Sequence, residues 1–231
     1  IDERTGEETQ FITISEFMSH AEASGQAVTI VLPTRTQLSE DTDAYGNRLP
    51  DIDEEGLREF VHDLASGAYG DAQIEAFVIG NEYWGSGEMN AVEYGRLSAE
   101  MSKIIDSELK LISEAYDIDT GETNILTQMG HNYNYSRISE DYEGWTAQDV
   151  IDDLNAKYPG LNLDQGCIRY GTGEPNWTEI NNDLVRMGFE NDPEATAAID
   201  GIVAHVYSRG SDSSRQYDLD IIQKSWLEQE G

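Results

Sequence analysis

Short, uninterrupted apolar runs alternate with longer amphipathic stretches along this chain, and no other feature limits its fold as strongly. Val28–Leu32 (VTIVL), Ile74–Gly80 (IEAFVIG), Ile125–Met129 and Gly201–Tyr207 (GIVAHVY) are rich in β-formers and too short for helices. Continuous runs of this kind read as strands covered on both faces. Between them the apolar residues recur at helical spacing. Residues 13–24 carry Phe17, Met18 and Ala21, with Thr13 and Glu16 forming a capping box and Gly25 as the stop. Residues 54–67 place Leu57, Phe60, Val61 and Leu64 on one face. Residues 91–115 keep the 3.6 period through Tyr94, Leu97, Met101, Ile104, Ile105, Leu109 and Ile112. Further helices are predicted near 147–157, over 178–200 with an interruption at Asn191-Asp192-Pro193, and over 217–229. Strand alternating with helix predicts an α/β fold with a parallel sheet.

Composition excludes several functions. Fourteen Lys+Arg against 46 Asp+Glu leave a net charge of −32. Phosphate recognition needs clustered cations, so nucleic acid is not a predicted partner. An anionic membrane surface is disfavoured for the same reason, and no apolar run reaches the roughly 20 residues of a transmembrane helix. Hydrophobic residues at 38% are enough for a core. Cys167 is the single cysteine, so neither an internal disulfide nor a cysteine metal cage can form. The sequence starts at Ile1 with no signal-peptide pattern and reads as a segment of something longer.

Polar and aromatic clusters follow the strands, at Thr34-Arg35, Asn81-Glu82, His131-Asn132 and His205 with Tyr207. In parallel α/β folds that edge of the sheet carries the ligand site. No dinucleotide or P-loop glycine motif is present. Glu82 directly follows an apolar strand, between Asn81 and the aromatic pair Tyr83 and Trp84. Partial desolvation there would raise its pKa and keep it protonated near neutral pH, as a general acid requires. Asn81 could bond a sugar hydroxyl, and Tyr83 and Trp84 could stack on a sugar ring. The structural alternative is that Glu82 only caps the helix that follows.

The stretch Phe77-Val78-Ile79-Gly80-Asn81-Glu82-Tyr83-Trp84 resembles the strand-four signature of the clan A glycoside hydrolases, which are retaining (β/α)8 barrels. Phe17–Pro33 is similar to the helix-two and strand-three segment of the arabinofuranosidase- and xylosidase-like members. Tyr94–Met101 resembles the start of their fourth helix, and IDGIVAHVY (199–207) their strand six with its terminal His-x-Tyr pair. The resemblance runs from about residue 8 to 208; only the strand-four and strand-six motifs are specific. It implies an incomplete (β/α)8 TIM barrel holding strands three to six, in one domain spanning 1–231, with 136–180 as an insertion. It implies a glycosidase acting on oligo- or polysaccharide, with Glu82 as acid/base and Asn81 binding the hydroxyl next to the scissile carbon. His205 and Tyr207 would line the cleft. Arg35 and His131 join the candidate site from their places after strands, with a loop-stabilising role as the alternative for His131.

The pattern also departs from that family. A retaining mechanism needs a second carboxyl about 5–5.5 Å away, and the strand-seven nucleophile has no counterpart in the chain. Glu174, in Gly173-Glu174-Pro175-Asn176-Trp177 after a short strand predicted at Cys167–Tyr170, is the alternative nucleophile. A second reading is therefore a non-catalytic carbohydrate-binding barrel module within a large, acidic, secreted protein. A third is an acidic structural domain. Asp41-Thr42-Asp43-Ala44-Tyr45-Gly46-Asn47 opens like an EF-hand loop, but Ile52 stands at the twelfth position, which rejects the EF-hand. A looser structural calcium site on that loop stays open; no metal or other cofactor is otherwise expected. His20 and His62 read as structural, and Cys167 lacks a basic neighbour that would activate it. The charge fits high ionic strength or extracellular calcium, so the expected setting is extracellular, in a secreted bacterial protein whose remaining polypeptide completes the site.

Overall fold

The computed structural model describes residues 12–190, 192–205 and 212–227, side chains of 212–215 excepted. Helix α1 (Ile14–Ser24) leads into strand β1 (Val28–Leu32). A hairpin of β2 (Leu38–Thr42) and β3 (Arg48–Pro50) follows, then α2 (Glu54–Ala65) and β4 (Ile74–Ile79). The long α3 (Ala91–Tyr116) precedes β5 (Asn124–Gln128), and α4 (Ala147–Lys157) and α5 (Trp177–Glu190) come next. The short α6 (Pro193–Ala198), β6 (Gly201–Val203) and α7 (Asp212–Ile222) complete the order, with a π-helical turn at Gln223–Leu227.

The α/β class and the parallel sheet hold. Strands β1, β4, β5 and β6 form one four-stranded sheet in that order, every pair parallel. The order advances in one direction without reversal. Right-handed crossovers then bring the connecting helices onto the same face. The register sorts the side chains accordingly. Ile30, Phe77 and Ile125 lie side by side and are buried, as are Leu32 and Ile79. The next row holds Val31, Val78 and Leu126, and Val31 is 50% exposed. The expectation that β1 is covered on both faces is therefore corrected: its burial alternates along the strand.

Local signals explain most boundaries. The Thr13–Glu16 capping box is formed in full, and Gly25 closes α1 in the left-handed conformation. A second capping box, Asn90 with Glu93, starts α3. Helix α3 packs against α2, α5, α6 and the sheet. Its approach to α5 is so close that a Cβ on Gly95 would stand 2.4 Å from the Val185 carbonyl oxygen.

Three expectations change. The segment 33–53, read as polar loop, folds into the β2–β3 hairpin, because Asp43 accepts bonds from the backbone N–H groups of Tyr45 and Asn47 and so fixes the turn. Cys167–Tyr170 is not a strand of the sheet; a 3-10 turn covers Gln165–Cys167, and one isolated bridge joins Ile168 to Pro175. Phe17 is 38% exposed. Residues 136–180 carry α4 and 3-10 turns, and Tyr142, Val150, Ile151, Leu154 and Leu163 join the main core.

Candidate functional site

The C-terminal edge of the sheet gathers the site. Strand β4 ends at Ile79, and the chain turns sharply through Gly80 (φ 72) and Glu82 (φ 45). Positive φ is uncommon for a residue with a side chain and signals an over-determined position. The neighbouring strand β5 holds it in place. Gln128, the last residue of β5 and 1% exposed, donates from Nε2 to the Gly80 carbonyl at 2.5 Å. Its Oε1 accepts the Glu82 backbone N–H at 2.9 Å. The turn is closed by Gly85 and Ser86, whose N–H groups both donate to the Glu82 carbonyl.

The Glu82 carboxylate reaches across the edge. His205, two residues beyond β6, places Nδ1 3.0 Å from Glu82 Oε1. The two side chains are 33% and 23% exposed, so the pair is accessible yet partly shielded from water. Glu82 is thus not a mere helix cap, since Asn90 caps α3.

The aromatic residues divide in a way the sequence did not indicate. Tyr83 is completely buried and stacks on Tyr94, centroids 4.0 Å apart and planes 5° from parallel. It is a core residue, and the expectation that it stacks on a ligand is corrected. Burial pushes its hydroxyl pKa far above the usual tyrosine value. Trp84 is only 6% exposed and meets His131 edge-on at 4.8 Å and His205 at 6.3 Å, so it backs the site instead of facing solvent.

His131 is 4% exposed, and its Nε2 has no hydrogen-bond partner among the described residues. Burial, then the nearby His205, push its pKa down to about 4, with Glu82 opposing. It is therefore a neutral ring at pH 7. Its loop is pinned internally: the Ser136 hydroxyl donates to the His131 carbonyl, and the Tyr135 N–H donates to the Trp84 carbonyl at 3.1 Å. Gly130 lets this loop pass α5, because a Cβ there would stand 2.2 Å from the Asn182 nitrogen.

The remaining predicted residues fall as follows. Asn81 is exposed at the rim, its carbonyl accepting the Ser86 hydroxyl. Arg35 pairs with Glu88 at 2.5 Å and is 65% exposed. Glu174 is exposed in the Arg169–Glu174 turn, outside the sheet, so the strand that would have carried it to the edge is absent. Tyr207 lies outside the described residues.

Sequence reasoning missed Gln128 and Tyr94. Tyr94 Oη donates to the Ile79 carbonyl at 2.7 Å and accepts the Gln128 N–H at 2.9 Å. It therefore holds the ends of β4 and β5 together beneath the turn. A polar Gln closing an otherwise apolar strand was the available signal; Tyr94 read as one more apolar helix position.

Other candidates carry less. The Asp43 carboxylate is taken by Asn47, the Tyr45 N–H and Arg96, whose Nη1 is 2.8 Å away. Burial alone would raise its pKa, but these bonds win and hold it at about 2. No group of three or more His, Cys, Asp or Glu that could hold a metal is found among the described residues. No helix among them is long and apolar enough to cross a membrane. Burial and the neighbouring Asp183 push the Cys167 thiol up to about 12, which removes it as a nucleophile. His62 is engaged structurally, with Nδ1 2.9 Å from Glu108. Comparison with protein-family models, curated proteins and solved structures finds no match to this chain.

Proposed function

We propose that this chain is the central arc of a (β/α)8 glycoside hydrolase barrel acting on oligo- or polysaccharides, with Glu82 as acid/base. Four parallel strands in unbroken sequential order support the barrel: a doubly wound sheet reverses its strand order, and this one does not. The observation that carries the functional reading is the Glu82–His205 pair. It joins the ends of β4 and β6 at the sheet edge where such folds bind substrate.

In this reading Glu82 protonates the departing glycosidic oxygen. It then takes a proton from the water that cleaves the glycosyl-enzyme. Gln128 holds the Glu82 backbone in its turn, and His205 orients the carboxyl. Asn81, at the rim, bonds a sugar hydroxyl. The nucleophile is a second carboxyl supplied by the remaining polypeptide, in a secreted parent protein.

One observation favours the binding-module reading. The segments that follow the other sheet strands, Pro33–Gln37, Met129–Tyr135 and Ala204-His205, contain no carboxylate. A cleft with one carboxyl binds sugar without hydrolysing it.

The test is turnover of aryl glycosides by a longer polypeptide containing this chain. Glu82→Gln is expected to lower kcat/KM by at least about 100-fold. Unchanged turnover in that variant removes Glu82 from the chemistry, and binding without turnover in the unmodified protein selects the binding module.

A further inference from the structure

Among the described rings in mutual contact at this edge, Tyr133 is the one that faces outward. It is 55% exposed, whereas Trp84 and His131 are 6% and 4% exposed. One face of Tyr133 is covered: it stacks on the His131 ring, centroids 5.3 Å apart and planes 21° from parallel. Trp84 meets it at 5.9 Å. The rings run in sequence from Tyr133 through His131 and Trp84 to His205, whose Nδ1 lies 3.0 Å from Glu82. Tyr133 therefore belongs to the ring cluster that reaches the Glu82 pair, with Trp84 between Tyr133 and His205.

The ring is held in place. The Tyr133 N–H donates to Ser136 Oγ at 2.9 Å, and the Tyr133 carbonyl accepts the Ser136 N–H at 2.9 Å. Asn134 takes a left-handed conformation (φ 39) to close this turn. A prearranged aromatic surface loses little conformational freedom when a ligand arrives, so more of the contact energy appears as affinity.

We propose that Tyr133 is a binding platform for a saccharide unit next to the Glu82–His205 pair, the sugar laying its C–H face on the outer face of the ring; this rests on the carbohydrate reading above. An amphipathic ring presents an apolar face with a polar tip, which suits a ligand that alternates C–H faces with hydroxyl edges. The nearby cations do not suit an anion: Arg35 pairs with Glu88, and Arg137 lies near Glu140. With a net charge of −32 on the chain, an anionic saccharide is disfavoured here. Tyr133 is a specificity-determining residue here and takes no part in bond cleavage.

The experiment is calorimetric titration of the whole chain with xylohexaose, arabinohexaose and cellohexaose. It uses the unmodified protein, Tyr133→Ala, Tyr133→Phe and, as a control, Tyr170→Ala, whose ring is fully exposed on the Arg169–Glu174 turn. For the hexasaccharide that binds, Tyr133→Ala should raise Kd about 10-fold or more, within the range seen for aromatic stacking partners. Tyr133→Phe and Tyr170→Ala should stay within about 3-fold, since neither removes the platform. Near-ultraviolet circular dichroism confirms that each variant is folded. Unchanged Kd in a folded Tyr133→Ala protein overturns the platform and leaves the carbohydrate reading standing. Equal loss in Tyr133→Phe overturns it too, because the hydroxyl would then be the contact. No binding of any hexasaccharide by the unmodified protein overturns both.

Discussion

The two ends of the parallel sheet differ in the side chains they gather. The N-terminal end holds a cavity of about 410 Å³, lined by residues such as Leu64, Gly67, Asp71, Ile118, Thr120 and Glu122. Its lining contains no histidine and no aromatic ring. The C-terminal end gathers Glu82, His131, His205, Trp84 and Tyr133. Backbone strain divides the same way. Among the described residues four non-glycine positions have positive φ: Glu82, Glu88, Asn134 and Asp117. The first three lie in the loops after β4 and β5, and Asp117 is an ordinary helix C-cap. Strain held in place by surrounding bonds is the reason the proposed site is put at this edge.

Steric change at the two ends should break this contrast most visibly. Gly130→Ala pushes a methyl into the backbone of Asn181 and Asn182, with contacts of 2.2–2.3 Å. Neither partner can yield, and the expected cost is about 3 kcal/mol or more. At the N-terminal end Gly67→Ala meets the Asp71 carboxylate at 2.8 Å, and that side chain can swing away. What remains is the left-handed backbone penalty at φ 82, about 1–2 kcal/mol. Urea denaturation of both variants measures the difference, and equal losses would deny that the C-terminal end is the more tightly built.

The next effect is in pH dependence. His131 has its folded pKa lowered to about 4 by burial first and by His205 second. The unfolded chain, with an ordinary histidine pKa of about 6.5, binds this proton earlier. The stability contributed by a neutral His131 is therefore fully present above pH of about 6.5 and is lost as pH falls toward about 4, on the order of 3 kcal/mol in all. His131→Gln should flatten the stability profile in that window. An unchanged profile would mean that the ring is hydrated and the edge is open. The smallest effect is expected at the rim. Arg35→Ala removes an ion pair whose side chains are 65% and 40% exposed, and denaturation should show a loss below about 0.5 kcal/mol.

The sequence made the sheet strands and long helices readable because periodicity and capping are local. Thr13 with Glu16 and Asn90 with Glu93 fix helix starts through bonds three residues apart. The β2–β3 hairpin was not readable, since its strands are mostly polar and its stability comes from Arg48–Glu93 and Asp43–Arg96 pairs with α3. In the site, Glu82 and His205 stood out as polar residues ending apolar strands. The sequence put both in one cleft, but their direct contact was not readable, because it depends on β6 lying beside β5. Tyr83 and Trp84 were misplaced because adjacency to Glu82 says nothing about depth: Tyr83 turns inward onto Tyr94. Tyr133, three residues beyond a Gly130 that admits α5, is an exposed ring in contact with Trp84 and His131 instead.

The most direct test is a nuclear magnetic resonance map of saccharide binding on the labelled chain. Backbone amide shifts are followed as a hexasaccharide is added. The account predicts perturbations concentrated at Asn81–Trp84, His131–Ser136 and His205, with the N-terminal cavity silent. Shifts confined to residues 66–73 and 118–123, around that cavity, or no shifts with any hexasaccharide, would contradict it.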